Sequence, residues 1–400
     1  MISFEEAYKI VLNHSRDYGS ESVPLINSMG RVLAEDIYAD RDFPSFNRAT
    51  KNGVAINFDA IEHGRRSFII KGVLAAGKPT VTFLESEDCI EIMTGAVVPF
   101  EADTVVKYED LSFEKDIATV NSIPARGQNI CLRGSNQLKG ARLLKKNTIL
   151  TAAEMGILAS VGKKNVWLKK TPRVAVIATG NELVKVDEQP LLHQIRRSNN
   201  YSLFGALEVL GIKPMLLHLE DDKDMILQKL AYAIEAMDVL IISGGISMGK
   251  FDFIPKVLEE LGAEKLFNRV NQHPAKPFWF GTHNNADTIV FSFPGNPVSI
   301  FLNFHIYFRD WLYKSLELPL NELNVLLEDS IEVVEGFTQF IGVEIKLENG
   351  CVLAKTVTTT GLEDLISLSK IHGFIRLSSN KKIYRKGEPV PFIPTKKYIK

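Results

Sequence analysis

The strongest constraint on this chain is an alternation that begins at Arg173. Short, unbroken apolar runs each empty into a polar turn and then into a helical pattern. The runs are Val174-Ala-Val-Ile-Ala178, Met215 to Leu219, Val239-Leu-Ile-Ile242 and Thr288-Ile-Val-Phe-Ser-Phe293. A run that is continuous rather than alternating predicts a strand buried on both faces. The segments between them predict helices over 199–211, 224–236, 253–261 and 297–312. Strand and helix in turn predict a doubly wound α/β sheet. Right-handed crossovers would gather the turns 179–182, 220–222, 243–252 and 294–299 along one edge, where ligands bind in open α/β sheets.

The residues at that edge suggest a chemistry. Glu182, Asp221 and Asp252 are carboxylates with no His or Cys among them, which suits a hard cation such as Mg²⁺. Gly244, Gly245 and Gly295 allow close approach of an anionic ligand to backbone. Lys276, within His273-Pro274-Ala275-Lys276-Pro277, adds a positive charge beside the same sheet. Together they describe a phosphate-containing ligand held by metal, glycines and a lysine. No Walker A, GxGxxG or HExxH sequence occurs, so kinase, dehydrogenase and zinc-protease chemistry lacks support.

The rest of the chain is built differently. Four hundred residues imply two to four domains. Ser3 and Glu6 fit a capping box before a first helix carrying Ala7, Ile10 and Val11. Leu25, Met29 and Val32 predict a second helix over 24–34. From 41 to 136 short apolar runs (54–56, 67–70, 104–106) between Gly and Pro predict an inserted β domain. Within it, 43–55 and 91–99 set polar side chains beside Gly on turns, where backbone N–H groups either face a ligand or simply turn the chain. Arg126, Arg133, Lys139, Arg142, Lys145 and Lys146 form a basic segment, either a solvated face or a phosphate surface. Thr151 caps a helix over 152–161 that Gly162 ends. After 316 short strands with Gly turns predict a separate β domain, and Lys396, Lys397 and Lys400 should be solvated.

Forty-seven basic against 48 acidic side chains give a net charge of -1, which points to neither nucleic acid nor membrane. Cys89, Cys131 and Cys351 lie far apart without a CxxC or His partner and read as free thiols in a reducing compartment. The acidic Met1-Ile-Ser-Phe-Glu-Glu6 is unlike a signal peptide, and no apolar run reaches the ~20 residues that span a bilayer. A cytoplasmic protein is expected.

Five motifs, in order, resemble the MoeA family of molybdopterin molybdenumtransferases, which includes the gephyrin E domain. They are Ile92-Met-Thr-Gly-Ala-Val-Val-Pro99 with Ala102-Asp103, Pro172-Arg-Val-Ala-Val-Ile-Ala-Thr-Gly-Asn-Glu-Leu183, Ser243-Gly-Gly-Ile-Ser-Met-Gly249 with Asp252, Pro274-Ala-Lys-Pro277, and Pro294-Gly-Asn-Pro-Val-Ser299. The resemblance covers nearly the whole chain. It implies a discontinuous helical domain (1–40 and 137–168), the inserted β domain (41–136), a MogA-like α/β domain (169–315) and a C-terminal β domain (316–400). It implies an elongated homodimer with sites at the subunit interface. A MogA-like adenylyltransferase and molybdopterin synthase become possible partners. The implied reaction takes adenylylated molybdopterin and molybdate, cleaves the adenylate with Mg²⁺ to release AMP, and inserts the metal into the dithiolene.

By that resemblance Glu182, Asp221 and Asp252 handle Mg²⁺ or pyrophosphate, and Asn52, Thr94 and Asn136 contribute from the inserted domain. Lys276 and Pro277 help to hold molybdate, with His273 in the same anion site; Arg269 and Thr360 count among the substrate-binding residues, and Ser243, Gly244, Gly245, Ser247, Gly249, Gly295, Asn296, Pro297 and Ser299 hold the pterin or nucleotide. The chain departs from the family pattern at several positions. Asn52 and Asn136 stand where aspartates are usual, and Cys131 where an Arg is. His273 replaces a second Lys, Thr360 a Ser, and an Arg near Phe340 to Gly342 is missing. Asn keeps an acceptor but loses the charge. Besides an active Mo-insertase, the residues therefore admit a degenerate paralogue that binds or delivers the cofactor or acts as a scaffold. An adenylyltransferase of the MogA-like type is a third reading.

Overall fold

A computed structural model describes residues 1–80, 84–246 and 253–396. Its centre is a six-stranded sheet in the order Met215–Leu219, Val174–Thr179, Val239–Ser243, Thr288–Phe293, Pro277–His283, Glu264–Arg269. The first four strands are the expected parallel ones. The last two run antiparallel and were not anticipated. Phe278-Trp-Phe280 is a strand that pairs with Thr288–Phe293 through a short hairpin, which needs no crossover helix and so breaks the alternation that made the others legible.

The apolar runs divide their side chains between two cores. Val174, Val176, Val239, Ile241, Phe291 and Phe293 pack on one face with Leu203 and Leu207. Ala175, Ile177, Leu240, Ile242 and Val290 pack on the other with Ile226, Leu230, Val257 and Leu258. The expected helices form as Ser198–Val209, Lys223–Ala236, Ile254–Glu260 and Pro297–Asn303. The last continues through a π-helical turn, Phe304–Phe308, into Arg309–Ser315. Register places Ala178 opposite Ser243, Ser243 opposite Phe293 and Thr179 opposite Leu219. The carboxyl ends are therefore level, and their turns share one edge.

Around this core the inserted region forms its own six-stranded sheet, in the order Thr104–Lys107, Gly53–Ile56, Asp88–Ile92, Ser67–Leu74, Ile117–Val120, Leu111–Glu114. The helix Phe4–Asn13 starts at Ser3, whose Oγ accepts from Glu6 N at 3.1 Å, and buries Phe4, Ala7 and Val11 in the α/β core. Thr151 and Glu154 make a complete capping box on Ala152–Ser160. The strand Ser20–Pro24 pairs antiparallel with Asn165–Lys169. The C-terminal region is a sheet in which Thr338–Glu348 also pairs with Gly373–Leu377, curling it towards closure. A two-residue strand of the α/β region, Gln272–His273, joins that sheet beside Thr338 and Gln339.

Two expectations need correction. No helix spans 24–34: only the 3₁₀ turn Leu25–Asn27 forms, with Ile26 and Met29 exposed. Pro24 ends a strand there, and Gly30 at φ 76 turns the chain away. The basic segment is not an open phosphate surface. Arg126 pairs with Asp59, Glu62 and Asp103, Arg133 with Asp42, Arg142 with Asp36, and Lys146 with Glu317. Lys396 donates to the Ser369 carbonyl at 2.6 Å in an exposed hydrogen bond; Lys397 and Lys400 lie outside the described residues. All three cysteines are free thiols, and among the described residues no helix is long and apolar enough to cross a membrane.

Candidate active site

At the level strand ends lies a cavity of about 630 Å³, within the range typical of small-molecule sites. Thr179, Gly180, Glu182, Asp221, Ser243, Gly244, Gly245, Gly295, Asn296 and Pro297 line it, so the four turns meet as expected. A second cavity of about 290 Å³ adjoins it, lined by His273, Lys276, Pro277 and Ser299. Gly244, Gly245, Gly295 and Asn296 line both and form their common wall.

Steric necessity explains the paired glycines. Gly244 and Gly245 have φ of 96° and 69°, in the left-handed region. A Cβ on Gly244 would stand 2.9 Å from Thr179 Oγ1, and one on Gly245 2.6 Å from Ile254 Cγ1. Gly244 N also donates to the Phe293 carbonyl, which fastens the third turn to the fourth. Gly295 is different, since its Cβ would meet Gly244 Cα at an ordinary 3.6 Å.

The first and second turns are clamped to each other. Asp221 N donates to Asn181 Oδ1 at 2.9 Å, and Asn181 N donates to Asp221 Oδ2 at 3.3 Å. His218 Nε2 donates to the Gly180 carbonyl at 2.9 Å. The Glu182 carboxylate lies against Gly180, where any Cβ would collide with it. Glu182 and Asp221 thus flank one end of the larger cavity. Among the described residues no three His, Cys, Asp or Glu side chains converge as metal ligands. Ser247, Gly249 and Asp252 lie outside the described residues.

The structure adds residues that the sequence reading passed over. Asn199 Nδ2 donates to Ser243 Oγ at 3.0 Å and to the Gly295 carbonyl at 2.6 Å, holding the third and fourth turns to the start of Ser198–Val209. Its Oδ1 is buried without a partner among the described residues, as is Oδ1 of Asn200, and both residues line the larger cavity. Arg196 and Arg197 line it too, and each uses Nε on a backbone carbonyl. The signal was present in Arg196-Arg197-Ser198-Asn199-Asn200, a basic, amide-rich entry to a helix whose N-terminus favours anions.

Not every candidate converges. Around the smaller cavity the His273–Pro274 bond is cis and Ala275 has φ 67°. Lys276 Nζ lies 5.2 Å from the centroid of the Phe337 ring. Arg269 is exposed in its strand and lines neither cavity. Thr360 lines neither as well, although Leu362, Glu363 and Leu365 of its loop do. Thr360 N and Ser367 N donate to the Asp364 carboxylate, which is thereby held below the usual range. Asn52, Thr94 and Asn136 are exposed on the inserted β domain and line neither cavity. Asn52 Oδ1 accepts from Thr94 N at 2.7 Å and Thr94 Oγ1 at 2.9 Å, so the acceptor that an aspartate shares with asparagine is in use. Asn136 N donates to the Phe43 carbonyl.

Comparison with known proteins bears on this geometry. Residues 2–162 match the MoeA N-terminal region (domain I and II), and residues 175–314 match a probable molybdopterin binding domain. A molybdopterin molybdenumtransferase of Synechocystis sp. is 34% identical over 98% of this chain and 99% of its own. One of Bacillus subtilis is 31% identical over 97% of this chain and 93% of its own. The crystal structure of a molybdopterin biosynthesis MoeA protein from Pyrococcus horikoshii superposes with a TM-score of 0.83 at 27% identity, covering 100% of both chains.

Proposed function

Because the chain belongs to the MoeA family, the molybdopterin molybdenumtransferases of molybdenum cofactor biosynthesis, we propose that its adjoining cavities bring adenylylated molybdopterin and molybdate together, insert the metal and release AMP. The observation that carries this reading is the wall common to both cavities, Gly244–Gly245 and Gly295–Asn296. A large ligand on one side and a small oxyanion on the other would be separated only by backbone without side chains at three of its four positions.

The larger cavity takes the nucleotide and pterin. Arg196 and Arg197 supply positive charge for the pyrophosphate, and the buried Oδ1 atoms of Asn199 and Asn200 are acceptors for N–H groups of a ring. The smaller cavity takes molybdate, with the Lys276 ammonium as its cation and His273 in its lining. Mg²⁺ fits the donor set. Glu182 has no side-chain hydrogen bond or ion pair among the described residues, and Asp221 gives only one oxygen to a long bond. Hard carboxylate oxygens of this kind, with Asp252, suit an ion that keeps substrate phosphates among its ligands. When bound, the ion would offset charge on the leaving AMP. Fixed donors and cations around the cavity contribute the electrostatic stabilisation that phosphoryl chemistry needs.

Asn52, Thr94 and Asn136 would act from the partner subunit of a homodimer, a reading supported by their exposure on the inserted β domain, where they line neither cavity of their own chain. We place the enzyme in the cytoplasm, after molybdopterin synthase and a MogA-like adenylyltransferase. Incubation with adenylylated molybdopterin, molybdate and Mg²⁺, followed by chromatography of nucleotides, should show AMP that depends on all three. Consumption of ATP without AMP release from the adenylate would instead identify an adenylyltransferase.

A further inference from the structure

The loop that carries His273 and Lys276 is tied to the protein interior through the residue before it. Gln272 is 1% exposed, and its amide makes three bonds. Nε2 donates to the Pro274 carbonyl at 3.2 Å and to Asn303 Oδ1 at 2.9 Å. Oε1 accepts from the Tyr307 hydroxyl at 2.5 Å. Asn303 and Tyr307 are both fully buried, four residues apart on the helix that begins at Pro297 and turns π-helical at Phe304–Phe308. Burial pushes the Tyr307 phenol well above the usual tyrosine range, so it is a donor at working pH.

This polar cluster sits inside an aromatic core, with the Tyr307 ring 4.7 Å from that of Phe278. Three buried polar side chains, with Asn303 Nδ2 unpartnered among the described residues, are a cost that apolar side chains would avoid. What they give in return is geometry. The helix that holds Gln272 is the one whose start supplies Asn296 and Ser299 to the lining of the smaller cavity. One helix therefore both lines the cavity and holds the loop that lines it with His273 and Lys276. π-turns set within α-helices are frequent at functional sites.

We propose that Gln272, Asn303 and Tyr307 are positioning residues that fix the His273–Lys276 loop against the helix and so set the geometry of the oxyanion site. The proposal rests on the reading that the smaller cavity takes molybdate, and its test separates the two. Steady-state AMP release by the full chain is measured as a function of molybdate and of adenylylated molybdopterin for Tyr307→Phe, Gln272→Met and Lys276→Ala. Tyr307→Phe removes one hydroxyl and keeps the ring. It should raise the KM for molybdate roughly tenfold, the usual weight of one buried hydrogen bond, and leave kcat and the KM for the pterin unchanged. Gln272→Met, which also removes the bond to Pro274, should show the same split more strongly. If Gln272→Met does not fold, Tyr307→Phe decides alone. Wild-type molybdate KM in Tyr307→Phe, with a raised one in Lys276→Ala, would overturn the positioning role while keeping the site. A parallel fall in every kinetic constant would reduce the cluster to general structure. An unchanged molybdate KM in Lys276→Ala would remove the oxyanion site and the proposal with it.

Discussion

Glu317 follows the end of the long helix and takes φ 57°. Its Oε1 accepts from Lys169 Nζ at 2.5 Å and its Oε2 from Asn147 Nδ2 at 2.9 Å. Lys146 lies 3.5 Å away. The Lys169 side chain is 4% exposed, and its other carboxylate, Asp17, is at 3.8 Å. These bonds to Lys169 and Asn147 bring the Glu317 carboxyl down to about 2 from 4.5. Taken at face value, at ~1.4 kcal/mol per unit, that depression corresponds to about 3 kcal/mol. The Glu317 side chain is 43% exposed, so solvent screening reduces the contribution to about 1–2 kcal/mol. Glu317→Gln should therefore lower stability at neutral pH by about that amount, and more if the Lys169 ammonium stays buried. For a domain of this size the melting transition should fall by about 3–6 °C. The pH dependence follows from the sign of the shift. A carboxyl whose folded value is depressed contributes fully above its unfolded value, near 4.5, and loses that contribution as pH falls towards 2. Calorimetric melting of wild type and variant from pH 7 down to pH 3 should show a gap that narrows below about pH 4.5. Equal melting temperatures at pH 7, or a gap that widens on acidification, would show that the bonds to Lys169 and Asn147 do not hold the Glu317 carboxylate in the folded state.

Asn199→Ala removes both bonds that hold Ser243 and Gly295 to the helix start, and should raise the KM for adenylylated molybdopterin by roughly tenfold or more with little change in folding, as read by steady-state kinetics and thermal melting. Gly245→Ala should destabilise by about 1–3 kcal/mol, because of its positive φ and the Ile254 contact, whereas Gly295→Ala should leave the melting temperature unchanged. Timed thiol labelling with mass spectrometry should modify exposed Cys351 in the native protein and Cys89 only on unfolding, since burial pushes the Cys89 thiol up to about 12.

How much could be read in advance depended on where the determining contacts lie. Val239 to Ile242 was legible because a strand buried on both faces cannot alternate, and Thr151 with Glu154 because a capping box is local. The convergence of the four turns followed from handedness alone. The spacing of Leu25, Met29 and Val32 misled because Pro24 and Gly30 outweigh three apolar residues at helical intervals. The strand Pro277–His283 escaped notice since its aromatic run has no helix after it. Asn199 looked like an ordinary polar residue at a helix start; its partners, 44 and 96 positions away, are set by packing. The contact of Gln272 with Tyr307, 35 positions on, depends on a π-turn that no periodicity announces.

On the proposed function, the cavities on either side of the Gly244–Gly245 and Gly295–Asn296 wall act on one adenylylated pterin and one oxyanion. The most direct measurement is single-turnover AMP release from purified protein loaded with adenylylated molybdopterin, with and without molybdate and Mg²⁺, in wild type and Lys276→Ala. AMP formation that requires both additions in wild type, and a higher molybdate concentration in Lys276→Ala, is the predicted result. Tight binding of the adenylate with no AMP released under any condition would contradict it.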